Sequence, residues 1–488
     1  MADAGLTQTR VVIIGAGFGG IGLGIKLKAS GLNDFVILEK SDSVGGVWRE
    51  NRYPGAACDV PSHLYSFSFE PRTDWPDRFA NQFDILDYLN HCTRKYVLDP
   101  HIRFRAEVTG ARWDAASSHW TVNTSDGHVF KAQSLVTATG QLSRPLRPQL
   151  PGLANFTGTV FHSAEWRQDY NFRGKRVAVI GTGASAIQFV PAIAPLVSKL
   201  YVFQRSAPYV LPKRDKNYAR WQISVLQRFP ALLKLARLLI YIRQETRAFG
   251  FITWRAAIRV KRWAFFRHLR RGVKNPDLRA RLIPNYRIGC KRILLSNDFY
   301  PAMDRPNVEL VTEGIGEIRS DAILTADAAK RKVDCIILGT GFAATDFLVP
   351  MKVTGLNGQD LQQAWRNGAQ AHLGMTIAGF PNFFMLYGPN TNLAHNSVVY
   401  MIEGQIHYVM ACLARLCRGN IRSLEIKKEI QDRYNAQLQR RLEKGQWSKG
   451  CTNWYLTAAG KNTTNWPGYS FEFRLRTRTP KWDDYAVQ

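Results

Sequence analysis

A chain of 488 residues with 45% hydrophobic content is long enough for two or three domains with substantial cores and ordinary enough in composition to be globular. The formal net charge is +28, which favours anionic partners, but no nucleic-acid recognition motif accompanies it, so nucleic-acid binding is set aside. The cysteines (Cys58, Cys92, Cys290, Cys335, Cys412, Cys417 and Cys451) form no CxxC pair and no zinc spacing, which argues against a disulfide reductase and a metal site; with no leader ahead of the first strand, a reduced, cytoplasmic chain is expected.

In chain order, residues 1–10 show no pattern and are expected to be disordered. Val11 to Ile14 is a buried-strand run, followed by Gly15-Ala16-Gly17-Phe18-Gly19-Gly20 and a stretch suited to a helix. A dinucleotide fingerprint requires this context: one glycine for the tight turn, one for close backbone approach to a pyrophosphate, and a small residue for packing helix on strand. The next strand, Phe35 to Leu38, ends at Glu39, 19 residues beyond Gly20. A carboxylate at that offset accepts hydrogen bonds from ribose hydroxyls and suits FAD or NAD. Short strands are expected near 102–109, 119–123 and 128–131, and Leu135 to Gly140 reads as a buried strand; Pro145, Pro148 and Pro151 mark a linker.

Val177 to Ile180 opens a second unit, and its fingerprint Gly181-Thr182-Gly183-Ala184-Ser185-Ala186 begins 166 residues after the first. Here the strand Leu200 to Phe203 leads to Arg205, 19 residues beyond Ala186. A guanidinium at that offset suits a 2′-phosphate, so the second site reads as NADP. Two fingerprints imply two dinucleotides and electron transfer between them.

From Tyr201 to Arg292 there are 23 Lys/Arg against Asp215, Glu245 and Asp277, interleaved with aromatics such as Trp221, Phe229, Phe249, Phe251, Trp254 and Trp263. Within it, Phe229 to Ile242 is apolar but broken by Lys234 and Arg237, short of the roughly 20 clean residues of a membrane span. Two readings stay open: a basic amphipathic surface on an anionic membrane, or a helical subdomain with a solvated basic face. Beyond it, Val308 to Val311 and Asp334 to Gly339 are strand-like, the chain re-enters the first domain from Asn382, and a long helix is expected near 397–418. The predicted architecture is α/β, with two Rossmann-like dinucleotide-binding domains, one interrupting the other. One comprises 11–150 and 382–488, the other 151–216 and 286–381, with a basic aromatic helical insertion at 217–285.

Between the fingerprints, Phe156, Gly158, His162 and Trp166 fall in the pattern FxGxxxHxxxW, and Gly45-Gly46-Val47-Trp48, Tyr53-Pro54-Gly55 and Asp59 fit [AG]GxWxxxx[FY]P[GM]xxxD at every fixed position. These two signatures resemble those of type I Baeyer–Villiger monooxygenases, class B flavoprotein monooxygenases of the flavin-containing monooxygenase superfamily. Further stretches look like landmarks of that family: Ala138-Thr139-Gly140, Cys290-Lys291-Arg292, Gly339-Thr340-Gly341-Phe342, Phe380-Pro381-Asn382-Phe383, Gly388-Pro389, Asn453-Trp454-Tyr455 and Trp466-Pro467-Gly468. Related N- and S-oxygenases carry Tyr where this chain has Trp166. One departure is Arg167, where the family usually has Pro or Asp.

The resemblance implies an NADPH-dependent enzyme in which hydride passes to FAD, O2 adds to give a C4a-peroxyflavin, and attack on a small hydrophobic ketone gives an ester or lactone. It implies that Arg292 is the charged donor beside the peroxide and that Asp59 pairs with it. FAD contacts are implied for Gly15, Gly17, Phe18, Gly20, Glu39, Lys40, Gly46, Val47, Trp48, Asp59, Tyr65, Val108, Gln141 and Val398. NADP contacts are implied for Gly181, Thr182, Gly183, Ala184, Ser185, Ala186, Gln188, Arg205, Ser206, Lys291 and Arg292. Phe156, Gly158, His162 and Trp166 carry a structural or gating role in this reading, and Trp454 belongs to a mobile loop over the substrate. The nearest rival is a flavin N- or S-oxygenase acting on amines or sulfides; a rival of another class is a membrane-surface electron-transfer flavoprotein that oxygenates nothing.

Overall fold

Two sheets, each grown around one glycine fingerprint, organise the chain; a computed structural model describes residues 5–252, 255–419, 421–448 and 450–488. The first begins with β1 (Leu6–Ile14), α1 (Phe18–Ala29) and β2 (Phe35–Leu38). It continues through α2 (Val47–Glu50), α3 (Gln82–Lys95), β3 (Ile102–Arg103), β4 (Val108–Asp114), β5 (His119–Thr124) and β6 (Val129–Thr137). The disorder expected for residues 1–10 is corrected: β1 starts at Leu6, because Leu6 to Thr9 pair in parallel with Val129 to Ala132. Those residues are mostly exposed, so backbone pairing rather than apolar patterning extends the strand. Residues 1–4 lie outside the described residues.

The second sheet comprises β7 (Thr159–His162), β8 (Arg176–Ile180), then α4 (Ala186–Ile193), β9 (Lys199–Phe203) and the short β10 (Val210–Leu211). Four helices follow: α5 (Arg220–Arg228), α6 (Pro230–Ile252), α7 (Arg255–Gly272) and α8 (Pro276–Arg281). The chain comes back through β11 (Leu294–Leu295), α9 (Phe299–Met303), β12 (Val308–Val311), β13 (Ile315–Ile318), β14 (Ala322–Thr325), β15 (Lys330–Lys332) and β16 (Cys335–Leu338). The parallel order is β12-β9-β8-β16-β7. Its strands are near-continuous apolar runs because both faces are covered. Ile187, Phe189 and Val190 of α4 and Phe299 and Tyr300 of α9 share one core with Val177, Val179 and Leu200, while Ile318 and Ile323 cover the opposite face at Ala178, Phe203 and Ile336. The helical insertion leaves at β10 and returns at β11, and these two strands pair in parallel (Val210 with Leu294). Lys291 and Arg292 lie just ahead of that pairing.

One side of α6 docks on the first sheet's body. Arg237 donates to the His63 carbonyl and to Ser66 Oγ (2.7 Å), Tyr241 meets Ser470 Oγ (3.2 Å), and Glu245 accepts from Asn396 Nδ2 (2.7 Å) and from the Ser470 amide (2.6 Å). The other side exposes Leu232, Leu235, Leu238, Leu239 and Ile242. No helix among the described residues is long and apolar enough to cross a membrane. Trp254, and the side chains of Phe249 and Phe251, lie outside the described part.

The return to the first sheet is made by β17 (Lys352–Thr354), which pairs with β4. The boundary expected at 382 is therefore corrected. Phe347, Met351, Leu361 and Phe380 already pack with Trp113, Trp120 and Phe130 of the first body, and a three-residue edge strand has too little pattern to be read in advance. The remaining elements are α10 (Leu361–Ala364), β18 (Phe383–Met385), α11 (Val398–Arg418), β19 (Leu424–Ile426), α12 (Lys428–Lys444), α13 (Ser470–Arg476) and β20 (Tyr485–Val487). The first sheet runs β17-β4-β5-β6-β1-β2-β3. β6 pairs antiparallel with β5 through Val129 to Ala132 and parallel with β18 through Leu135 to Thr137.

Candidate active site

Each fingerprint is a turn that only glycine fits. Gly15 has φ +104° and Gly181 φ +109°; a Cβ on Gly15 would lie 2.8 Å from the Ala138 carbonyl oxygen, and one on Gly181 2.4 Å from that of Gly339. The landmark stretches at 138–140 and 339–342 are thus the strand ends against which the fingerprints turn. A Cβ on Gly20 would lie 1.9 Å from the Gly15 carbonyl oxygen, which draws α1 tightly onto the loop. Gly17 caps α1 and Ser185 caps α4, and neither helix start receives a side-chain cap. An uncapped helix start carries backbone amides without side-chain partners, which suits a phosphate.

Around the first fingerprint, Glu39 accepts from the amides of Ala16 (2.8 Å) and Ser41 (2.9 Å), which aims its carboxylate at the end of β1. Trp48 Nε1 donates to Tyr65 Oη (3.2 Å), and the Tyr65 ring meets Phe18 edge-on. A Cβ on Gly46, at φ +54°, would lie 3.2 Å from Gly17 Cα, so these two backbones run close. Buried Gln141 donates to the carbonyls of Tyr387 (3.2 Å) and Gly388 (3.1 Å), while its Oε1 has no partner among the described residues. Val47 and Val398 are half-buried nearby in sequence to this cluster, Val108 opens β4, and Lys40 is exposed. This donor and acceptor set fits a flavin dinucleotide.

Around the second fingerprint, Lys291 Nζ donates to Ser206 Oγ (2.8 Å), and Thr182 Oγ1 donates to the Ser206 carbonyl (3.3 Å). Burial and the neighbouring Arg205 charge push the Lys291 pKa down. Two cations and a hydroxyl at the end of β9 fit a 2′-phosphate. Gly183 and Ala184 are exposed on the loop. Gln188 points elsewhere: it accepts from Tyr53 Oη (3.0 Å) and donates to the Ala57 carbonyl (2.9 Å), joining the two bodies.

Asp59 and Arg292 meet across the same seam. Arg292 Nε donates to Asp59 Oδ2 (3.2 Å), and NH2 donates to Oδ1 (2.8 Å) and Oδ2 (2.6 Å). The second terminal nitrogen, NH1, makes no hydrogen bond among the described residues, and the two side chains keep 30% and 31% exposure. The Asp59 charge raises the Arg292 pKa further despite burial. Burial opposes ionisation of Asp59, but the charge and hydrogen bonds of Arg292 prevail and hold it below its ordinary value. Arg292 also lies within electrostatic reach of Tyr387 and Tyr455.

The FxGxxxHxxxW residues lie away from this pair. A Cβ on Gly158 would lie 2.5 Å from the Asp334 carbonyl oxygen, and Phe156 packs under the second sheet. His162 is fully buried at the end of β7; its Nδ1 accepts from the Ala164 amide (3.1 Å), its ring meets Phe342 edge-on, and burial lowers its pKa. Trp166 packs among Phe161, Phe172, Phe189 and Tyr53. Arg167 points outward to an exposed pair with Asp169 (2.6 Å).

Reading the residues alone missed three features. Tyr387 stands at φ +58° just before Gly388-Pro389. Asn453 donates to the carbonyls of Cys290 (3.1 Å) and Trp447 (2.9 Å). Cys290 and Cys451 are joined in a disulfide, which corrects the fully reduced chain expected from their spacing; the contact spans 161 residues, and local spacing carries no trace of it. The available signal was position: Tyr387, Asn453 and Cys290 lie in or beside stretches already marked as landmarks.

Two glycine-fingerprint folds, with the Asp59–Arg292 pair between the bodies that carry them, define a protein built for two dinucleotides. Residues 8–353 match the family model "FMO-like: Flavin-binding monooxygenase-like". The chain is 46% identical over 477 residues to a Baeyer–Villiger monooxygenase of Pseudomonas aeruginosa, covering 97% of this chain and 90% of the relative. It is 44% identical over 482 residues to one of Streptomyces coelicolor, covering 98% and 93%. A solved steroid monooxygenase bound to NADP superposes with a TM-score of 0.88 at 31% identity, covering 99% of each chain. The chain belongs to the flavin-binding monooxygenase-like family, in its Baeyer–Villiger branch, and its cofactors are FAD and NADP.

Proposed function

We propose that this enzyme inserts one oxygen atom of O2 into a small hydrophobic ketone to give an ester or lactone, with Arg292 as the charged donor at the reacting oxygen. In this reading the first body holds FAD through Gly15, Gly17, Gly20, Glu39, Trp48, Tyr65 and Gln141, and the second holds NADPH through its fingerprint with Arg205, Ser206 and Lys291. When bound, FAD supplies O2 activation and NADPH supplies the hydride. Arg292 contributes a charge that no working pH removes: it keeps the attacking oxygen anionic and stabilises the oxyanion formed on the carbonyl. Asp59 fixes the guanidinium plane through two nitrogens and leaves NH1 directed elsewhere, and that geometry is the observation that carries the reading. His162, fully buried at the end of β7, and Trp166, half-buried against Phe161 and Phe189, support a role in seating the second body rather than in proton transfer. The test is product analysis by mass spectrometry, with NADPH, against linear, cyclic and aryl ketones beside amines and sulfides. Ester or lactone formation is expected; sulfoxides or N-oxides with no ester from any ketone would overturn it in favour of an N- or S-oxygenase.

We place the enzyme in the cytoplasm, peripherally associated with an anionic membrane surface through α5 and α6. Support for the compartment comes from the use of NADPH and from the unpaired buried thiols Cys58, Cys92, Cys335 and Cys412. Support for the surface comes from the exposed side of these helices: Trp221 and Phe229 of α5 and its C-cap, then Leu232, Leu235, Leu239 and Ile242 at helical spacing along α6, flanked by exposed Arg228, Lys234 and Arg243. Apolar side chains toward water with cations at their edge match a lipid interface. Residues 217–285 carry 16 Lys/Arg against Glu245 and Asp277, so a second copy would meet like charge. Sedimentation with anionic vesicles, absent with zwitterionic ones, is expected and is lost in Leu235→Asp/Leu239→Asp. Equal vesicle binding by that variant, or loss of self-association instead of vesicle binding, would reject the membrane as occupant.

A further inference from the structure

The Cys290–Cys451 disulfide lies one residue from Lys291 and two from Arg292. On its other side it holds the segment that runs into Asn453, Trp454 and Tyr455. That segment is seated on the same loop by the Asn453 bond to the Cys290 carbonyl, and Asn453 Oδ1 in turn accepts from the Tyr455 amide (3.0 Å). Tyr455 is within electrostatic reach of Arg292, and Lys291 Nζ sits 4.7 Å from the centre of the Tyr286 ring on the same loop. One covalent bond therefore ties the loop that carries Lys291 and Arg292 to the segment that carries Tyr455. Cys290 is fully buried, whereas Cys451 is half-buried and is the sulfur a reductant would meet. The other five cysteines are unpaired, so the chain as a whole is not built as an oxidised, disulfide-stabilised one. In a reducing compartment an isolated disulfide beside a reactive centre is characteristically a transient, redox-sensing one.

We propose that Cys290–Cys451 is a reversible redox tether that sets how freely the 451–455 segment moves over the Lys291–Arg292 loop. This rests on the reading of Lys291 and Arg292 as site residues. Closing the tether oxidises two thiols: hydrogen peroxide, the product when O2 is reduced without insertion, takes two electrons and two protons from them to give the S–S bond and two waters. Opening it transfers two electrons from a small dithiol, whose own sulfurs become a disulfide while Cys290 and Cys451 recover their protons. In the tethered state the segment stays seated, so nicotinamide dinucleotide leaves slowly; reduction lets the segment lift. A segment that gates release moves kcat and KM together.

The test uses the holoenzyme in two states, treated with hydrogen peroxide or with dithiothreitol. Differential alkylation and peptide mass spectrometry read the pair directly. Hydrogen exchange across 450–460 and equilibrium dialysis of NADP+ read the segment and the cofactor without turnover. Reduction is expected to expose both thiols, speed exchange in that segment, weaken NADP+ binding by about fivefold, the low end of usual coupling between sites, and raise kcat and the KM for NADPH together. Cys451→Ser should show the reduced behaviour under both treatments, and Cys417→Ser should respond as the parent does. Thiols that stay free after peroxide, or identical exchange and NADP+ affinity in the two states, would overturn the proposal. Failure of the Arg292 assignment alone would leave the alkylation, exchange and dialysis results unchanged, so the two can be told apart.

Discussion

Replacing Arg292 with alanine separates the two half-reactions. The side chain spends Nε and one terminal nitrogen on Asp59, and the other makes no hydrogen bond among the described residues, so in the proposed role the variant removes one donor from the reacting oxygen. Loss of one preorganised donor lowers a rate by about 10²–10³, or roughly 2.7–4 kcal/mol of barrier. The structural cost is smaller. A fully buried pair broken on one side costs about 3–5 kcal/mol. With 30% and 31% exposure, solvent screens the orphaned Asp59, and about 1–2 kcal/mol is expected. The variant should therefore fold and retain FAD. Anaerobic rapid mixing should show NADPH reducing the flavin within about threefold of the parent rate, well inside the loss of one donor, while aerobic product analysis shows ester yield falling by the full factor and NADPH consumption running on without product. Ester formation at the parent rate would refute the role of Arg292. An equal loss in both half-reactions would assign the residue to hydride transfer instead.

Arg205→Ala should raise the KM for NADPH by about 10–100-fold, the worth of a charge-assisted hydrogen bond, and leave NADH kinetics unchanged; an unaltered NADPH/NADH ratio would remove Arg205 from the 2′-phosphate site. Gly181→Ala forces a side chain into a φ of +109° with its Cβ 2.4 Å from the Gly339 carbonyl oxygen, so dialysis should show NADP+ binding lost at a stability cost of at least about 1 kcal/mol, with FAD content retained. Glu245 is held at a pKa of about 2: burial raises it, but His395, Ser470 and Asn396 outweigh burial. Because its folded pKa is depressed, its contribution is present in full above the ordinary value of 4.5 and is lost as pH falls towards about 2. Thermal melts of Glu245→Gln should accordingly lie below those of the parent near neutrality, by about 2–3 kcal/mol in stability, and converge with them in that acid window. A difference that persists below it would show that shape, not charge, anchors α6.

What the sequence made legible was whatever is encoded locally. Gly15 and Gly181 announce their turns because only glycine satisfies both the backbone angle and the close approach, and Gly20 announces the helix start because only the close approach to the Gly15 carbonyl forbids a Cβ there. Glu39 and Arg205 are legible because a strand of fixed length carries the chain from each helix to the same position beside its fingerprint. Non-local pairing is where the reading fell short. Leu6 to Thr9 look like a polar tail until Val129 to Ala132 supply partners, and β17 is three residues whose membership in the first sheet depends on β4. The run Phe229 to Ile242 was visible as apolar but broken by cations, and which of its side chains face water was not: Leu232, Leu235, Leu239 and Ile242 do. That depended on Arg237 and Glu245 finding partners at Ser66, Asn396 and Ser470, so these two turned inward and the four apolar side chains outward. Cys290 and Cys451 belong to the same class, since only the folded chain brings them together.

The placement of Asp59 and Arg292 in different bodies bears on why the charge is built as a pair. A lone guanidinium beside Tyr387 and Tyr455 would lower its energy by swinging towards solvent, and its position would not depend on the second body being seated. Pairing with Asp59 makes the useful orientation conditional on contact between the bodies. The nearby Tyr53–Gln188 and Gln188–Ala57 hydrogen bonds impose the same condition on α4, the helix whose start faces the second dinucleotide. In the role proposed for Arg292, the donor is then complete only when the second body is docked. Oxygen chemistry without a seated nicotinamide partner would lack its oriented cation, and reducing equivalents would be lost as peroxide. Severing the seam at Tyr53→Phe, which removes one hydrogen bond but keeps the ring, should leave ester formation active yet increase peroxide released per NADPH oxidised. Unchanged coupling in that variant would mean that Asp59 alone orients Arg292 and that the seam at α4 serves only packing.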